Sequence, residues 1–378
     1  KLAIHPRSSP QITKLPLPQI CTQNLSLLSK LPLKNHFIKS KLIHVALMEM
    51  NQIRTFVILF FFFFSVNGLR TLSNDPCDPK AQRDPRTLRS DQITVLINGY
   101  SESRIPLLQS LAATYATSPL VSSVLVLWGN PSTPAQTLAQ LAQNLSLHHS
   151  ISLLRQSSNS LNNRFLPRSS IGTHAVLICD DDVEIDHESF EFAVRVWGSN
   201  RDRLIGFFVR SHDLDLSRKE WIYTVHPEKY SILLTKFMIL RNDYLFKYSC
   251  NGGPAIVEMR RTVDRMSNCE DILMNFVVAD ETNVGPVLVG AKWARDYGDA
   301  RNDVDVDQRL GLKDEGVKEV GLSSRRGEHR KRRGKCIMEF HRAMGRMPLR
   351  YGYGKVVNSV GEQALCEKGG HLVFCDKS

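Results

Sequence analysis

The apolar run His174-Ala175-Val176-Leu177-Ile178-Cys179 leads straight into Asp180-Asp181-Asp182, and this junction constrains the fold more than any other stretch of the chain. A short apolar run of this kind reads as a buried strand, so three carboxylates stand at its end. Charged groups leave water only when paired or bound to metal, and hard oxygen ligands suit Mg²⁺ or Mn²⁺. The junction therefore reads as a divalent-cation site shared with the phosphates of a nucleotide. The plainer alternative is an acidic strand end or a helix cap, with Asp182 capping ahead of Glu184-Ile185-Asp186.

From about residue 91, strand patterns alternate with helical ones. Residues 93–97 form an apolar strand reaching Asn98-Gly99-Tyr100, and residues 121–128 form a second that closes at Gly129-Asn130-Pro131. Helical periods cover 105–115, 135–145 and 189–197, while 151–154 and 204–209 read as further strands. The alternation predicts an α/β fold, a mainly parallel central sheet flanked by helices. Ligands of such sheets bind at the carboxyl ends of the strands, where Asn98, Asn130 and Asp180 all lie.

Before that region the composition changes. Residues 1–47 contain no Met, Asp or Glu and carry seven Lys or Arg, and the first Met is Met48. They are expected to be translated upstream sequence; a transit peptide is the rival, and the Pro-rich, poorly amphipathic stretch 15–35 suits it badly. Without them the formal charge falls from +11 to +4, so basicity does not argue for a nucleic-acid partner. The apolar run 55–66 falls short of the ~20 residues that span a bilayer comfortably. It makes 48–68 a signal peptide or short signal anchor, cleavable near Asn67-Gly68, that routes the rest to the secretory lumen. Residues 69–90, rich in Asp and Pro, read as a stem or linker, and 91–378 as one domain.

Seven cysteines follow the leader, an odd number, so at least one thiol is free or pairs between chains. Cys179 is the candidate free thiol because a small buried thiol packs well in an apolar strand, and Cys366 with Cys375 is placed to close a terminal loop. Asn144-Leu145-Ser146 is a glycosylation sequon. The run 325–335 carries seven positive charges and one negative. A solvated loop is its ordinary reading, and a surface for an anionic acceptor or phospholipid headgroup is the functional one. It has no interleaved aromatics to stack bases. The acidic run Asp296, Asp299, Asp303, Asp305 and Asp307 lacks calcium-loop spacing and reads as solvated, paired with the basic stretch.

Several ordered strings carry a resemblance: Asn159-Ser160-Leu161-Asn162-Asn163-Arg164-Phe165, the strand into Asp180-Asp181-Asp182, Tyr230-Ser231-Ile232-Leu233-Leu234-Thr235-Lys236-Phe237, Asn268-Cys269-Glu270-Asp271-Ile272-Leu273-Met274-Asn275-Phe276, and Met347-Pro348-Leu349-Arg350-Tyr351. From about residue 91 to 352 they resemble the exostosin-like glycosyltransferase domain, glycosyltransferase family 64. The leader, the short stem and the segment from Asn98 to Arg104 are most similar to plant members that mannosylate glycosylinositol phosphorylceramides. The resemblance implies a GT-A glycosyltransferase fold, a Golgi location, retention of anomeric configuration, and Mn²⁺ with Mg²⁺ as the alternative. It also implies GDP-mannose as donor and an inositol-phosphate sphingolipid at a membrane surface as acceptor, with no nucleic acid. The competing reading within the same fold is a UDP-sugar donor, such as UDP-N-acetylglucosamine, and a glycan or protein acceptor. A catalytically silent binding protein is the third class, and the intact set of Asp180, Asp182, Asp271 and Arg333 argues against it.

Carried over residue by residue, the resemblance makes Asp182 the principal metal ligand with Asp180 beside it, and gives Asp180 and Asp181 contacts to the nucleotide and sugar. Asn98, Arg104, Asn130, Asn159 and Arg164 become donor-binding residues. Asp271 is implied to sit near the anomeric carbon, Arg333 at the diphosphate and reaction centre, and Cys269 with Cys336 in a disulfide. One departure concerns the first loop, where Glu102 stands in place of a family arginine and Arg104 follows two positions later; such a change is compatible with a purine replacing a pyrimidine base. Plainer readings accompany these roles. Asp271 serves a helix dipole, Arg164 forms a surface ion pair, and Trp128 and Trp197 are core aromatics. His226-Pro227 begins a turn, His212 lies near the acceptor or serves the structure, and Met338, Phe340 and Met344 belong to the core face of a helix.

Overall fold

The long strands are apolar on both faces, as a sheet covered by helices on two sides requires. The computed structural model describes residues 75–78, 83–226, 228–298, 326–358, 365–368 and 370–374, all within one compact unit, Ser73–Ser378. In chain order the strands used below are β1 (Arg89–Gly99), β2 (Val121–Trp128), β3 (Ile151–Arg155), β4 (Thr173–Asp180), β5 (Val183–Ile185), β6 (Ile205–Gly206) and β7 (Val209–Asp215). They continue with β8 (Glu220–Thr224), β9 (Lys229–Tyr230), β10 (Ile232–Leu233), β11 (Phe237–Arg241), β12 (Val287–Leu288) and β13 (Ala294–Asp296). The helices are α1 (Ile105–Thr117), α2 (Ala135–Leu145), α3 (His187–Gly198), α4 (Asn242–Ser249), α5 (Gly253–Met266), α6 (Glu270–Thr282) and α7 (Arg326–Met344).

The central sheet has the order β12-β6-β11-β4-β1-β2-β3. Its neighbours pair in parallel except at β11, which is antiparallel to both β4 and β6. The mainly parallel sheet flanked by helices that the alternation predicts is therefore the fold observed. Strand order reverses at β1, so β1 and β4 diverge in their connections, and a crevice forms at the carboxyl ends of such a pair. Asn98 lies opposite Asp180 in register at that point.

The period of two divides the core. Ile93, Val95 and Ile97 of β1 join Leu108, Ala112 and Tyr115 of α1 and Phe190, Ala193 and Trp197 of α3 in one cluster. Leu96 of β1 with Val176 and Ile178 of β4 faces the other way, onto Tyr244, Ile256, Ile272, Phe276 and Phe340 of α4 to α7. Helix α6 is buried at every position from Glu270 to Ala279. A helix covered all round belongs to the core, so any charge it carries must find a partner there.

Three expectations change. The strand expected at 204–209 stops after Gly206, and the chain crosses to a second sheet, β10-β7-β8. Gly206 lies so close to β11 that an added Cβ would stand 2.1 Å from the Phe237 carbonyl oxygen, and Phe208 O instead accepts from Leu234 N. From Arg326 onward the basic run is not a loop, because it forms the first half of α7. Arg333, Gly334, Cys336, Ile337 and Phe340 are buried along one face of that helix, Met338 and Met344 are half-buried, and Arg330, Lys331, Arg332 and Lys335 are exposed on the other. Polar residues dominate the run, so its helical stripe becomes visible only where the apolar residues begin. Finally, part of the stem is tied down, by a Cys77–Cys250 disulfide that spacing did not suggest and by Arg83 Nε donating to Ser169 O at 2.6 Å.

Cys179 is buried and free. The proposed Cys366–Cys375 loop, the leader and the upstream segment lie outside the described residues. Among those described, no helix is long and apolar enough to cross a membrane. Gly206→Ala should lower the free energy of unfolding by more than about 2 kcal/mol, since overpacking against backbone has no side chain to yield. Urea unfolding beside Gly198→Ala, where nothing lies within 4 Å of the added carbon, checks it.

Candidate active site

Strand β4 delivers Asp180 at its last position, and Asp181 and Asp182 form the turn into β5. Asp181 is buried, accepting from Arg104 Nη1 at 3.1 Å and from Tyr100 N at 3.4 Å. The same Arg104 nitrogen donates to Asp182 Oδ2 at 2.8 Å. Asp182 Oδ1 is buried and has no hydrogen-bond partner. Burial first, and then the charge of Asp180, push Asp182 up to about 7; burial also raises Asp181. Asp182 O accepts from Tyr297 N, and a Cβ on Gly298 would come within 2.3 Å of Asp182 Oδ2. The turn thus cradles a carboxylate with one oxygen unused. The helix cap is supplied by Asp186 instead, which accepts from Ser189 N at the start of α3.

Arg164 connects this turn to α6. Its Nη1 lies 3.1 Å from Asp180 Oδ1, 2.8 Å from Thr235 Oγ1 and 3.1 Å from Glu270 Oε1. Burial works to lower the guanidinium's pKa, but Glu270 and Asp180 outweigh it and the net direction is upward. Burial raises Glu270, with Arg164 opposing. Asp271, next in sequence, accepts from Ile272 N at 2.8 Å and from Arg333 Nη2 at 2.6 Å. Arg333 also donates to Asn268 Oδ1 at 3.0 Å, and its guanidinium carbon stands 4.5 Å from the centre of the Tyr223 ring. Burial opposes its charge, yet Asp271 and Tyr223 hold its pKa above the ordinary value.

Covalent and backbone constraints fix this second half. The Cys269–Cys336 disulfide, the pair implied by the resemblance, joins the start of α6 to α7. Ser267 and Cys269 both adopt left-handed conformations, with φ of 46° and 78°, which non-glycine residues hold only when their surroundings over-determine them. Asn275, one turn beyond Asp271, exchanges hydrogen bonds with both backbone groups of Leu233 and pins β10 to α6.

The other expected residues are spread around this core. Asn98 donates to Cys179 O at 3.0 Å, bridging the ends of β1 and β4. Asn130 accepts from Ser132 N in the turn after β2, and Asn159 is exposed on the loop ahead of the 3₁₀ turn Leu161–Phe165. Arg104 lies against the aspartates. Trp128 and Trp197 are core aromatics. His212 is buried and stacked on Tyr351 at 4.8 Å, and burial lowers it to about 4, so it serves the structure. His226 bonds to Asp213, while Pro227 lies outside the described residues.

Sequence reasoning gave no role to Glu270, Thr235 or Lys236, and took Asp296 as solvated and paired with the basic stretch. Because β11 runs antiparallel, the residues just ahead of it lie at the aspartate edge of the sheet, which places Thr235 on Arg164 and Lys236 on Asp296. Asp296 is not solvated, since β13 pairs with β5 and sets it where its charge raises Asp182 further. A hollow of about 460 Å³ lined by Asn200, Arg203, Arg241 and Thr282 sits at the far end of β11 and includes none of these groups.

The Glycosyl transferase family 64 domain matches residues 93–361. The chain belongs to that family. It is 66% identical over 325 residues to "Glycosyltransferase family protein 64 C3" of Arabidopsis thaliana, covering 84% of this chain and 96% of the relative. "Glycosylinositol phosphorylceramide mannosyl transferase 1" of the same plant is 28% identical over 281 residues, 70% of this chain and 76% of that protein. An "Exostosin-like-3 homolog" of Caenorhabditis elegans is 32% identical over 204 residues, 54% of this chain and 24% of that longer protein. The protein is thus a glycosyltransferase that uses a nucleotide sugar and an acceptor.

The pKa of Asp182 in this glycosyltransferase makes a prediction for metal-free protein. Its folded value, about 7, lies above the ordinary 3.8, so the folded state holds the proton more tightly than the unfolded state. The associated stability is fully present below about pH 3.8 and is lost as pH rises through about 7. Asp182→Asn should therefore raise metal-free stability by at least about 1 kcal/mol at pH 8, with a smaller gain at pH 5. Denaturant unfolding in chelator at the two pH values measures the difference.

Proposed function

We propose that this glycosyltransferase moves mannose from GDP-mannose to glycosylinositol phosphorylceramides in the Golgi, with retention of configuration and dependence on Mn²⁺, which Mg²⁺ can replace. The observation that carries the reading is the continuity of the site. Asp180 reaches Arg164, Arg164 reaches Glu270, and the adjoining Asp271 is paired with Arg333. The groups we assign to phosphate binding and to the sugar are thus linked by ion pairs, which supports treating them as one site.

The residues fit a divalent cation, because Asp182 keeps one buried oxygen unpartnered and its neighbours are carboxylates. Among the described residues no three His, Cys, Asp or Glu side chains are grouped to hold a metal by themselves. Oxygens of the donor diphosphate complete such a site in proteins that share the ion with a nucleotide. When bound at Asp182 with Asp180 beside it, the ion supplies Lewis-acid neutralisation of the departing diphosphate.

The chain's own groups do the rest. Departure of the diphosphate leaves positive charge on the anomeric carbon, and the Asp271 carboxylate meets it; retention needs no base on the far side of the sugar. Arg333 holds Asp271 in place and presents positive charge to the leaving group. Asn98 and Arg164, beside the β1 and β4 ends, bind the donor together with Asn130 after β2 and Asn159 on the loop before the 3₁₀ turn. Support for GDP-mannose comes from the named mannosyltransferase relative and from the altered first loop, where Arg104 turns inward. Support for an inositol-phosphate sphingolipid at a membrane comes from Arg330, Lys331, Arg332 and Lys335, whose exposed charges on α7 complement an anionic headgroup.

Purified protein with Mn²⁺ and a panel of sugar nucleotides, with and without inositol phosphorylceramide acceptors, tests the reading through nucleotide release. GDP-mannose should be consumed faster than any UDP-sugar, and excess chelator should stop turnover. Faster use of UDP-N-acetylglucosamine with a glycan or protein acceptor would select the competing reading, and turnover in chelator would remove the metal. Asp271→Asn should lower kcat by about 10²–10³, with circular dichroism confirming that the variant folds.

A further inference from the structure

Arg104 occupies an unusual position for a residue expected to touch the donor. It ends the 3₁₀ turn Glu102–Arg104, two residues beyond β1, and precedes the first residue of α1, so its backbone is fixed while its side chain extends across the aspartate turn. A single nitrogen, Nη1, bridges Asp181 Oδ1 and Asp182 Oδ2. The side chain is 27% exposed, against 6% and 14% for the two carboxylates, so the guanidinium covers the cluster from its open side. Asp182 thus uses one oxygen for an internal cation and leaves the other unpartnered. Lys236 cannot take over, because it is engaged with Asp296.

We propose that Arg104 is a positioning residue that competes with the divalent ion for Asp182, so that the protein alone binds the metal weakly and the nucleotide diphosphate is needed for tight binding. The inference rests on the metal reading given above and concerns a residue of this chain alone. Three aspartates packed at a buried strand end repel one another, and a charge-assisted hydrogen bond to an arginine offsets part of that repulsion. A metal taking Asp182 must displace or share that bond, which raises its dissociation constant. The arriving diphosphate carries negative charge that gives the released guanidinium a new partner, with the planar fork suited to phosphate oxygens. Metal and nucleotide then bind with positive coupling, and by linkage each strengthens the other equally.

The test is a Mn²⁺ titration of the purified protein without nucleotide, following loss of the electron paramagnetic resonance signal of the free ion. Removal of a charged hydrogen-bond competitor should tighten Mn²⁺ binding by about tenfold in Arg104→Met. Arg104→Lys, which keeps the charge, should return most of the way to the wild-type value. Arg104→Gln provides a second neutral side chain that retains hydrogen bonding, should the methionine variant fail to fold, and should also bind more tightly than wild type. A repeat with GDP present should show a smaller gap between variant and wild type than without it. Unchanged or weaker binding in the neutral variants, binding in Arg104→Lys as tight as theirs, or a gap that GDP leaves undiminished would overturn the inference alone. No Mn²⁺ binding by any of the proteins would overturn the metal reading and the inference with it.

Discussion

Arg164 is the interaction on which the rest of the site depends. It is buried among Asp180, Thr235 and Glu270, which come from β4, the segment before β11 and the first turn of α6. Removing an ionised carboxylate from water without a partner costs several kcal/mol, so Glu270 can exist at a fully covered helix position only with this arginine in reach. The same constraint applies one residue on, where Asp271 relies on Arg333. Two neighbouring carboxylates are thus held by two arginines from different elements. One arginine leads back to the sheet edge and the other to α7.

This arrangement explains several features that otherwise look unrelated. Helix α6 must begin abruptly at the point where its first two residues meet the arginines, and the left-handed Ser267 and Cys269 accomplish that turn. The Cys269–Cys336 disulfide and the side chain of Asn268 bind the same turn to α7, so Arg333 cannot drift from Asp271. Helix α7 then has two jobs. Its inner face carries Arg333, Cys336 and Phe340 into the core, and its outer face displays Arg330, Lys331, Arg332 and Lys335. The unpartnered Asp182 Oδ1 at the other end is the complement of this rigidity, since the neighbouring carboxylates are already neutralised by arginine.

Much of the sheet was legible because strands β1, β2 and β4 are long and apolar and each has a polar residue at or near its carboxyl end, Asn98, Asn130 and Asp180. The helices at 135–145 and 189–197 announced themselves by spacing, and Asp180 to Asp182 announced the site by the energetic oddity of their position. Elsewhere the sequence was silent for physical reasons. The direction of β11 is set by its connections and leaves no mark in composition, so Thr235 and Lys236 gave no local sign of reaching the aspartates. Gly206 ends its strand through a contact with β11 that only the folded chain creates. Glu270 looked like any acidic residue in a helical first turn, and α7 began in a basic segment without an apolar stripe. The pairing of Cys77 with Cys250 spans 173 positions, a separation no spacing rule reaches.

The central claim is that the aspartate turn and the Asp271–Arg333 pair form one electrostatic unit through Arg164. A double-mutant cycle joining Arg164→Met and Glu270→Gln, read as free energies of unfolding in metal-free buffer, measures that link most directly. The account predicts a coupling of at least about 1 kcal/mol, as expected for groups in direct contact within one network. Additive effects of the two substitutions would contradict it.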